Sequence, residues 1–386
     1  MKTKLLLAVL IPFSFNFIFS QCPDPVPANY TCIPDSAFEN ALIVRGIDSE
    51  GGPTDGLVLT SDLNSASNIE VSGFGITDLT GIEQCTSLLY LNISNNSLSG
   101  SLDLNASTSL LSLSCINNSI TAIDVTNCSI LNAIYFENND LMSLDLSNKG
   151  NLEQVIATNN SNLSSINLTD SNYLRVLKAN STSISSLDLS AKTNLQYLEI
   201  SGSNLTSLTI GAAMNLYNIN VSNNQLTVLD LSNCGQPATA LPVVINCDDN
   251  LLTDLNLKNG DNLEIDTFSA LNNNLSCITV DDATYSTSNW TNIDPGVSFS
   301  ANCALGLKEF DKESILLYPN PSNSGVNVHL TDDATYALSN MFGQEIKNGV
   351  FITGENVLNI QNLSNGLYFL NIDSNEGHAT KKIIKN

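Results

Sequence analysis

Apolar and polar residues alternate along this chain in a phrase that returns every 21 or 22 residues between about positions 66 and 280. The phrase is leucine, two residues, apolar, one residue, apolar, two residues, asparagine, one residue, leucine. Leu88-Leu91-Ile93-Asn96-Leu98 is one copy, and Leu110-Leu113-Cys115-Asn118-Ile120 and Leu131-Ile134-Phe136-Asn139-Leu141 follow it. Leu216-Ile219-Val221-Asn224-Leu226 is a later copy, and about ten occur in all. The apolar-x-apolar centre has period 2, so it predicts a short strand with both apolar side chains turned inward. Stacked turns would align these strands into a parallel sheet. At roughly 4.8 Å per strand the sheet would run on the order of 45 Å. A second apolar pair follows each asparagine, as in Leu144-Asp-Leu146, Leu187-Asp-Leu189, Leu208-Thr-Ile210 and Leu229-Asp-Leu231. It predicts the opposite wall, and the short repeat leaves no room there for a long helix.

The asparagine has its own physical role. The chain turns after the strand and leaves backbone groups inside without a ladder partner, at about 1–3 kcal/mol for each orphan. An inward amide offers two donors and an acceptor. Asn96, Asn118, Asn139, Asn160, Asn224, Asn250 and Asn273 are therefore expected to stack as a ladder. Thr182 and Ser203 replace it in two middle turns, where packing is expected to be less regular. Gly235 to Leu241 is an insertion expected to bulge as a loop.

These turns resemble the short leucine-rich repeats of bacterial surface proteins of the internalin kind, over well more than half the chain. The resemblance implies a solenoid that binds partners on a broad surface. The expected fold is mainly β: a leucine-rich-repeat solenoid with a parallel sheet and capped ends at 21–303, then a small antiparallel sandwich.

The ends are legible. Lys2 and Lys4, the apolar run Leu5 to Phe19 and Ser20 read as a secretory signal peptide over 1–20, cut before Gln21. A lipoprotein reading would place an anchor at Cys22, where Gln21 fits poorly. The N-terminal cap spans 21–65, and Asp35 is placed to cap a helix from about Ser36 to Arg45, ended by Gly46. The repeats occupy 66–275 and a C-terminal cap with Trp290 occupies 276–303. Of nine cysteines, Cys22 and Cys32 flank the entry and Cys277 and Cys303 bracket the exit, so these are read as two disulfides. Such staples typically give about 2–4 kcal/mol at solenoid ends, which need capping. Cys85, Cys115, Cys128, Cys234 and Cys247 fall at core positions of the repeat.

After a polar linker at 304–314 the pattern changes to strands between turn signals. Tyr318-Pro319-Asn320-Pro321, Gly343, Gly366-Leu367-Tyr368 and the tail Lys381-Lys382-Ile383-Ile384-Lys385 resemble the C-terminal sorting domain of type IX secretion substrates from Bacteroidetes-like bacteria. The resemblance covers 315–386. It implies transfer through the periplasm and across the outer membrane, removal of this domain, and release or surface attachment. It also implies the type IX machinery as a partner. A bacterial source implies that Asn-x-Ser/Thr triplets such as Asn92-Ile-Ser94 carry no routine N-glycan.

Charge and inventory narrow the function. The formal net charge is −24, and between 21 and 303 the basic residues are Arg45, Lys149, Arg175, Lys178, Lys192 and Lys258. Such a surface repels nucleic acid and anionic lipid. Both histidines, His329 and His378, lie after residue 303, so a histidine-based triad or zinc site has no base in the solenoid. Asp103, Asp145, Asp188 and Asp230 sit in the repeated Leu-Asp-Leu frame, which recurs for structural reasons and disfavours paired glycosidase carboxylates there. No enzyme is expected. An acidic stretch with Asp48, Glu50, Asp55 and Asp62 resembles an over-long EF-hand loop, with Asp in place of the closing Glu. It reads either as a calcium site or as a solvated acidic loop.

Register also selects outward residues of the strand face: Tyr90, Tyr135, Lys178, Tyr197, Glu199 and Tyr217, with Arg175 beside them. Tyrosine supplies contact area and a hydroxyl at low entropy cost. This reads as a ligand face for a protein or glycan outside the cell. The alternative is a passive surface spacer in which these side chains only support packing between turns.

Overall fold

The computed structural model describes residues 22–235, 242–260, 262–303, 315–374 and 377–386. The signal peptide read at 1–20, the linker at 304–314 and nearly all of the 235–241 insertion lie outside them. The chain divides into two compact units at residues 301–302.

In the first unit the repeat builds an eleven-stranded sheet. Its strands run from Asn68–Glu70 through Tyr90–Asn92, Ser112–Ser114, Ala133–Tyr135 and Gln154–Ile156 to Val176–Lys178. Tyr197–Glu199, Asn218–Asn220, Val243–Asn246, Ile265–Ala270 and Asn292–Ile293 complete it. Neighbours are parallel, and equivalent residues meet: Leu91 pairs with Leu113, Leu113 with Ile134, Ile134 with Val155, Leu177 with Leu198. These central residues are buried, each worth about 1.5–3 kcal/mol of apolar transfer. The second apolar pair closes the other wall as four smaller sheets, the first of which joins Ser99–Asp103 to Ser119–Asp124.

Each ladder asparagine closes one corner of the coil. Asn139 donates through Nδ2 to Cys115 O (2.8 Å), Phe136 O (3.3 Å) and Glu137 O (3.3 Å), and accepts from Ile120 N–H (3.0 Å). Asn96, Asn118, Asn160, Asn224, Asn250 and Asn273 repeat the pattern. The irregular packing expected at Thr182 and Ser203 does not occur: Val176, Leu177 and Lys178 stay in register with Tyr197, Leu198 and Glu199. The two hydroxyls lie 2.9 Å apart and both reach Ala179 O (3.1 and 3.3 Å), sharing their two protons among these contacts to do jointly what one amide does elsewhere.

The opposite corner has a column that the sequence reading did not separate. Three residues before each repeat leucine stand Cys85, Ser107, Cys128, Lys149, Ser171, Lys192 and Ala213, and Cys234 and Asn262 continue the column; all are buried. They meet orphaned carbonyls: Ser171 Oγ donates to Leu146 O (2.6 Å), Lys149 Nζ to Thr126 O (3.1 Å) and Ser147 O (3.2 Å), and Lys192 Nζ to Leu168 O (2.7 Å). Burial pushes the Lys192 ammonium below its usual range. Cys115 and Cys247 lie inward on or just after strands, as read. Burial pushes the Cys85 and Cys234 thiols up to about 12 and Cys128 to about 11, so these cysteines pack as inert thiols.

Both ends are closed. Asp35 caps α1 (Ser36–Val44), accepting from Ala37 N–H (2.8 Å) and Phe38 N–H (3.0 Å), and Phe38, Ala41 and Leu42 are buried. A second short helix, α2 (Thr60–Ser65), and an antiparallel pair, Tyr30–Cys32 with Leu57–Leu59, complete the entry. Residues 276–303 do more than cap, because Cys277–Thr279, Asn292–Ile293 and Ser298–Ser300 add strands to both walls. Between them α3 (Ala283–Asn289) leads to Trp290, 4% exposed, which packs on Phe268 and Phe299. Cys22 pairs with Cys32 and Cys277 with Cys303, and the other five cysteines are free. Non-reducing peptide mapping is expected to return these two crosslinks; a crosslink to Cys115 or Cys247 would contradict the packing.

The second unit is an antiparallel sandwich with its own core. Leu316–Tyr318, Gly325–Leu330 and Gly354–Asn359 form one sheet. Ala334–Asn340, Glu345–Phe351, Gly366–Ser374 and Gly377–Lys385 form the other. Val326, Val328, Leu338, Leu370 and Ile383 fill the space between them. Gly343 takes φ 78° in the turn after Asn340, a conformation that glycine adopts without strain.

Candidate binding face of the solenoid

Two of the four predicted tyrosines, Tyr197 and Tyr217, come together, and the other two stand apart along the sheet. Tyr197 and Tyr217 belong to adjoining turns, Tyr135 lies three strands from Tyr197, and Tyr90, 49% exposed, lies two strands further toward the N-terminal end of the sheet. Tyr197 is the centre. Its ring carries Lys178 Nζ at 4.3 Å from the centroid, and Tyr217 meets it edge-on at 5.9 Å. Its hydroxyl donates to Glu199 Oε1. Burial, then this bond, pushes the Tyr197 phenol up to about 12, so it remains a donor. Lys178 Nζ also lies 3.5 Å from Glu199 Oε2.

Register explains the grouping. Lys178 and Glu199 are paired across neighbouring strands, two residues along from Val176 and Tyr197 and so on the same face. Residues not singled out in the sequence extend this polar face along the sheet. Tyr135 and Gln154 share a hydrogen bond between hydroxyl and Oε1 (3.1 Å), and Asn180 Nδ2 donates to Glu199 Oε2 (3.3 Å). Arg175 pairs with Glu153 (3.3 Å) and donates to Gln196 Oε1 (3.1 Å). Gln154 occupies the same repeat column as Tyr197, and Glu153 and Gln196 the same column as Arg175 and Tyr217, so column alignment was the available signal. A half-exposed cation over a ring is worth about 0.5–1 kcal/mol, and exposed ion pairs about 0–1 kcal/mol. The cluster is therefore an ordered polar-aromatic surface rather than a contributor to fold stability.

Each of the four residues read as calcium ligands already accepts a hydrogen bond. Asp48 Oδ1 accepts from Glu50 N–H (3.3 Å), Asp62 Oδ2 from Ser49 N–H (3.0 Å), Asp55 Oδ1 from Leu57 N–H (3.0 Å), and Glu50 Oε1 from the Tyr30 hydroxyl (3.0 Å). Among the described residues no group of three or more His, Cys, Asp or Glu is placed to hold a metal ion. The stretch is a hydrogen-bonded loop fastened by Glu39, which is fully buried and accepts from Asp55 N–H (2.8 Å) and Gly56 N–H (2.9 Å).

In the C-terminal unit the separate motif pieces meet. Tyr318 and Asn320 each precede a cis proline, at Pro319 and Pro321. Asn320 Nδ2 donates to Lys382 O (2.7 Å), and its Oδ1 accepts from Ile384 N–H (2.9 Å), so the motif clasps the last strand. Ser322 bridges to Lys385. Residues 316–386 match the family described as a secretion system C-terminal sorting domain. These residues are a type IX sorting domain. The sorting domain holds Tyr368 by its hydroxyl to Ser364 O (2.9 Å), pairs Gly366 with Lys385, and pairs Leu370 with Lys381.

The chain is thus an exported protein with a leucine-patterned parallel β-solenoid, delivered by type IX secretion to the cell surface or the medium. No helix among the described residues is long and apolar enough to cross a membrane. No curated protein matches the chain. Among solved structures it is similar to the functional domain of InlJ from Listeria monocytogenes, at 16% identity over 92% of this chain and 99% of that one, with TM-score 0.44. It is also similar to the internalin inlF from Listeria monocytogenes, at 18% identity over 68% and 95%, TM-score 0.34. A third likeness is to the secreted internalin-like protein Lmo2445 from Listeria monocytogenes, at 13% identity over 94% and 99%, TM-score 0.33.

Proposed function

We propose that the solenoid is a non-enzymatic recognition module that binds a protein or glycan outside the cell through the face of its eleven-stranded sheet. The contact centre is Lys178, Tyr197, Glu199 and Tyr217, with Arg175 at its margin and Tyr135 and Tyr90 as outlying contacts along the same face. The observation that carries this reading is the Tyr197 cluster itself, a packed aromatic and charged group drawn from adjoining turns. Tyrosines and arginines in such settings dominate binding energetics. The passive-spacer reading draws on a different feature of the cluster: Tyr197 already satisfies its hydroxyl on Glu199 and its ring on Lys178.

A screen of the full chain against glycans and envelope proteins separates the two. Substituting Tyr135, Tyr197 and Tyr217 by Ser is expected to weaken binding of any partner found more than tenfold, about 1.4 kcal/mol or more, with a nearly unchanged melting curve. Unchanged affinity in that variant would move the contact off this face, and a screen without any partner would favour the spacer.

A further inference from the structure

The second wall of the solenoid begins at an open edge. Strand Ser99–Asp103 pairs with Ser119–Asp124 on one side, and among the described residues no strand pairs with its other side. The preceding turn supplies no wall strand there and has a short 3-10 segment, Ile82–Gln84, instead. Between that segment and the free edge lies a cavity of about 210 Å³. Asp78, Glu83 and Asp103 stand at its rim over a floor of Leu98, Leu102 and Ile120.

The walls are held in place. Asp35 Oδ2 accepts from Thr77 N–H (2.7 Å), the Thr77 hydroxyl (2.8 Å) and Asp78 N–H (2.9 Å), tying the rim to the start of α1. Gly81 has φ 103°, and a Cβ there would meet Ile33 Cδ1 at 2.2 Å, so the turn fits only glycine. Asp78 Oδ1 holds Thr80 N–H (2.8 Å), Glu83 Oε2 holds Gly81 N–H (2.8 Å), and Asp103 Oδ1 holds Asn105 N–H (2.9 Å). One oxygen of each rim carboxylate is thus fixed by its own loop while the residue stays exposed.

We propose that this groove is a second docking site, separate from the tyrosine face, which takes a short extended segment of a basic polypeptide. The segment adds as a strand to the free edge at Ser99–Asp103, and one lysine side chain enters the cavity. Free strand edges recruit extended peptides through main-chain hydrogen bonds, and pockets for alternate side chains give specificity. A lysine stem is apolar and its head cationic, which matches an apolar floor under a carboxylate rim. The surrounding charge favours the same partner. Nearly all of the formal net charge of −24 lies in the solenoid, where Lys149 and Lys192 are buried and Arg175 and Lys178 are paired with glutamates.

The test titrates the full chain at physiological salt with the acetylated, amidated peptide Thr-Lys-Thr-Lys-Thr, followed by NMR. Saturable shifts at residues 77–83 and 99–103 are expected, and the matching glutamate peptide should give none. Asp78→Asn/Glu83→Gln/Asp103→Asn keeps the loop hydrogen bonds and is expected to weaken binding at least fivefold. Asp145→Asn/Asp188→Asn/Asp230→Asn removes the same charge elsewhere on the wall and is expected to leave binding within twofold. Equal losses in the two triple variants would reduce the effect to bulk charge and overturn the site. Absence of saturation would overturn it as well. Binding of n-butylammonium as tight as that of the peptide would overturn the strand-addition part.

Discussion

Replacing Asn160 by alanine is expected to lower the unfolding free energy of the solenoid by about 3–5 kcal/mol, since each buried group it orphans costs about 1–3 kcal/mol. Asn160 is fully buried, donates to Phe136 O (2.8 Å) and Ala157 O (2.9 Å), and accepts from Leu141 N–H (3.1 Å). Alanine leaves Ala157 O and Leu141 N–H inside without a side-chain partner, and Phe136 O with only the longer bond from Asn139 Nδ2 (3.3 Å). Asn160→Asp keeps the acceptor, loses both donors and sets a charge against carbonyls, so it should be at least as harmful. The neighbouring Asn159 is the control. It is exposed, has φ 60°, and makes one side-chain bond, to Asn138 Oδ1 (2.8 Å). Asn159→Gly keeps that backbone conformation accessible and is expected to change stability by less than about 1 kcal/mol. Chemical denaturation measures both. Because each turn contacts only its neighbours, the damage should appear as early unfolding of the middle turns. A loss under about 1 kcal/mol for Asn160→Ala would mean that the ladder does not hold the coil together.

The same pair of asparagines shows what could be read in the sequence and what could not. The inward member of each Asn-Asn doublet follows from period and polarity, because its neighbours are apolar and the turn must be satisfied. The outward member has a backbone role that hydropathy does not report. Asn95, Asn117, Asn138 and Asn159 all adopt positive φ, and Nδ2 of each of the last three donates to Oδ1 of the one before (2.7, 2.6 and 2.8 Å). Lys149 and Lys192 were harder still. Composition ranks lysine as a surface residue, and only alignment of the columns puts it where Cys128 and Ser107 stand. The calcium reading meets a related limit of sequence: spacing of carboxylates says nothing about whether backbone N–H groups already hold them, as they hold Asp48, Asp55 and Asp62. Strand order, wall pairing and the terminal disulfides were legible because they follow directly from the repeat and its ends. The aromatic cluster was half legible, since outward register can be counted, but the closure of Lys178 and Tyr217 around Tyr197 depends on rotamers.

Deleting residues 315–386 is expected to abolish delivery to the surface or medium while the solenoid still folds. The two units have separate cores: Trp290 and Val280 belong to one, and Ile315, Val326 and Ile383 to the other. Expressed alone, residues 21–303 should therefore unfold cooperatively as a β-rich protein. In cells the truncated chain should be retained, because the sorting domain is the part read by the export machinery. A subtler variant tests how the motif works. Asn320→Ala removes both bonds that clasp the last strand at Lys382 and Ile384. Water can reach this exposed site, so the cost to the sandwich should be only about 1 kcal/mol, yet the basic tail would lose its fixed position beside Pro319 and Pro321. Export is expected to fall severalfold in that variant, with the solenoid unaffected, as read by immunoblot of surface and medium fractions. Failure of 21–303 to fold would refute the two-unit reading. Normal delivery of the truncated chain would refute the export role, and full export of Asn320→Ala would show that the machinery reads the strand without the clasp.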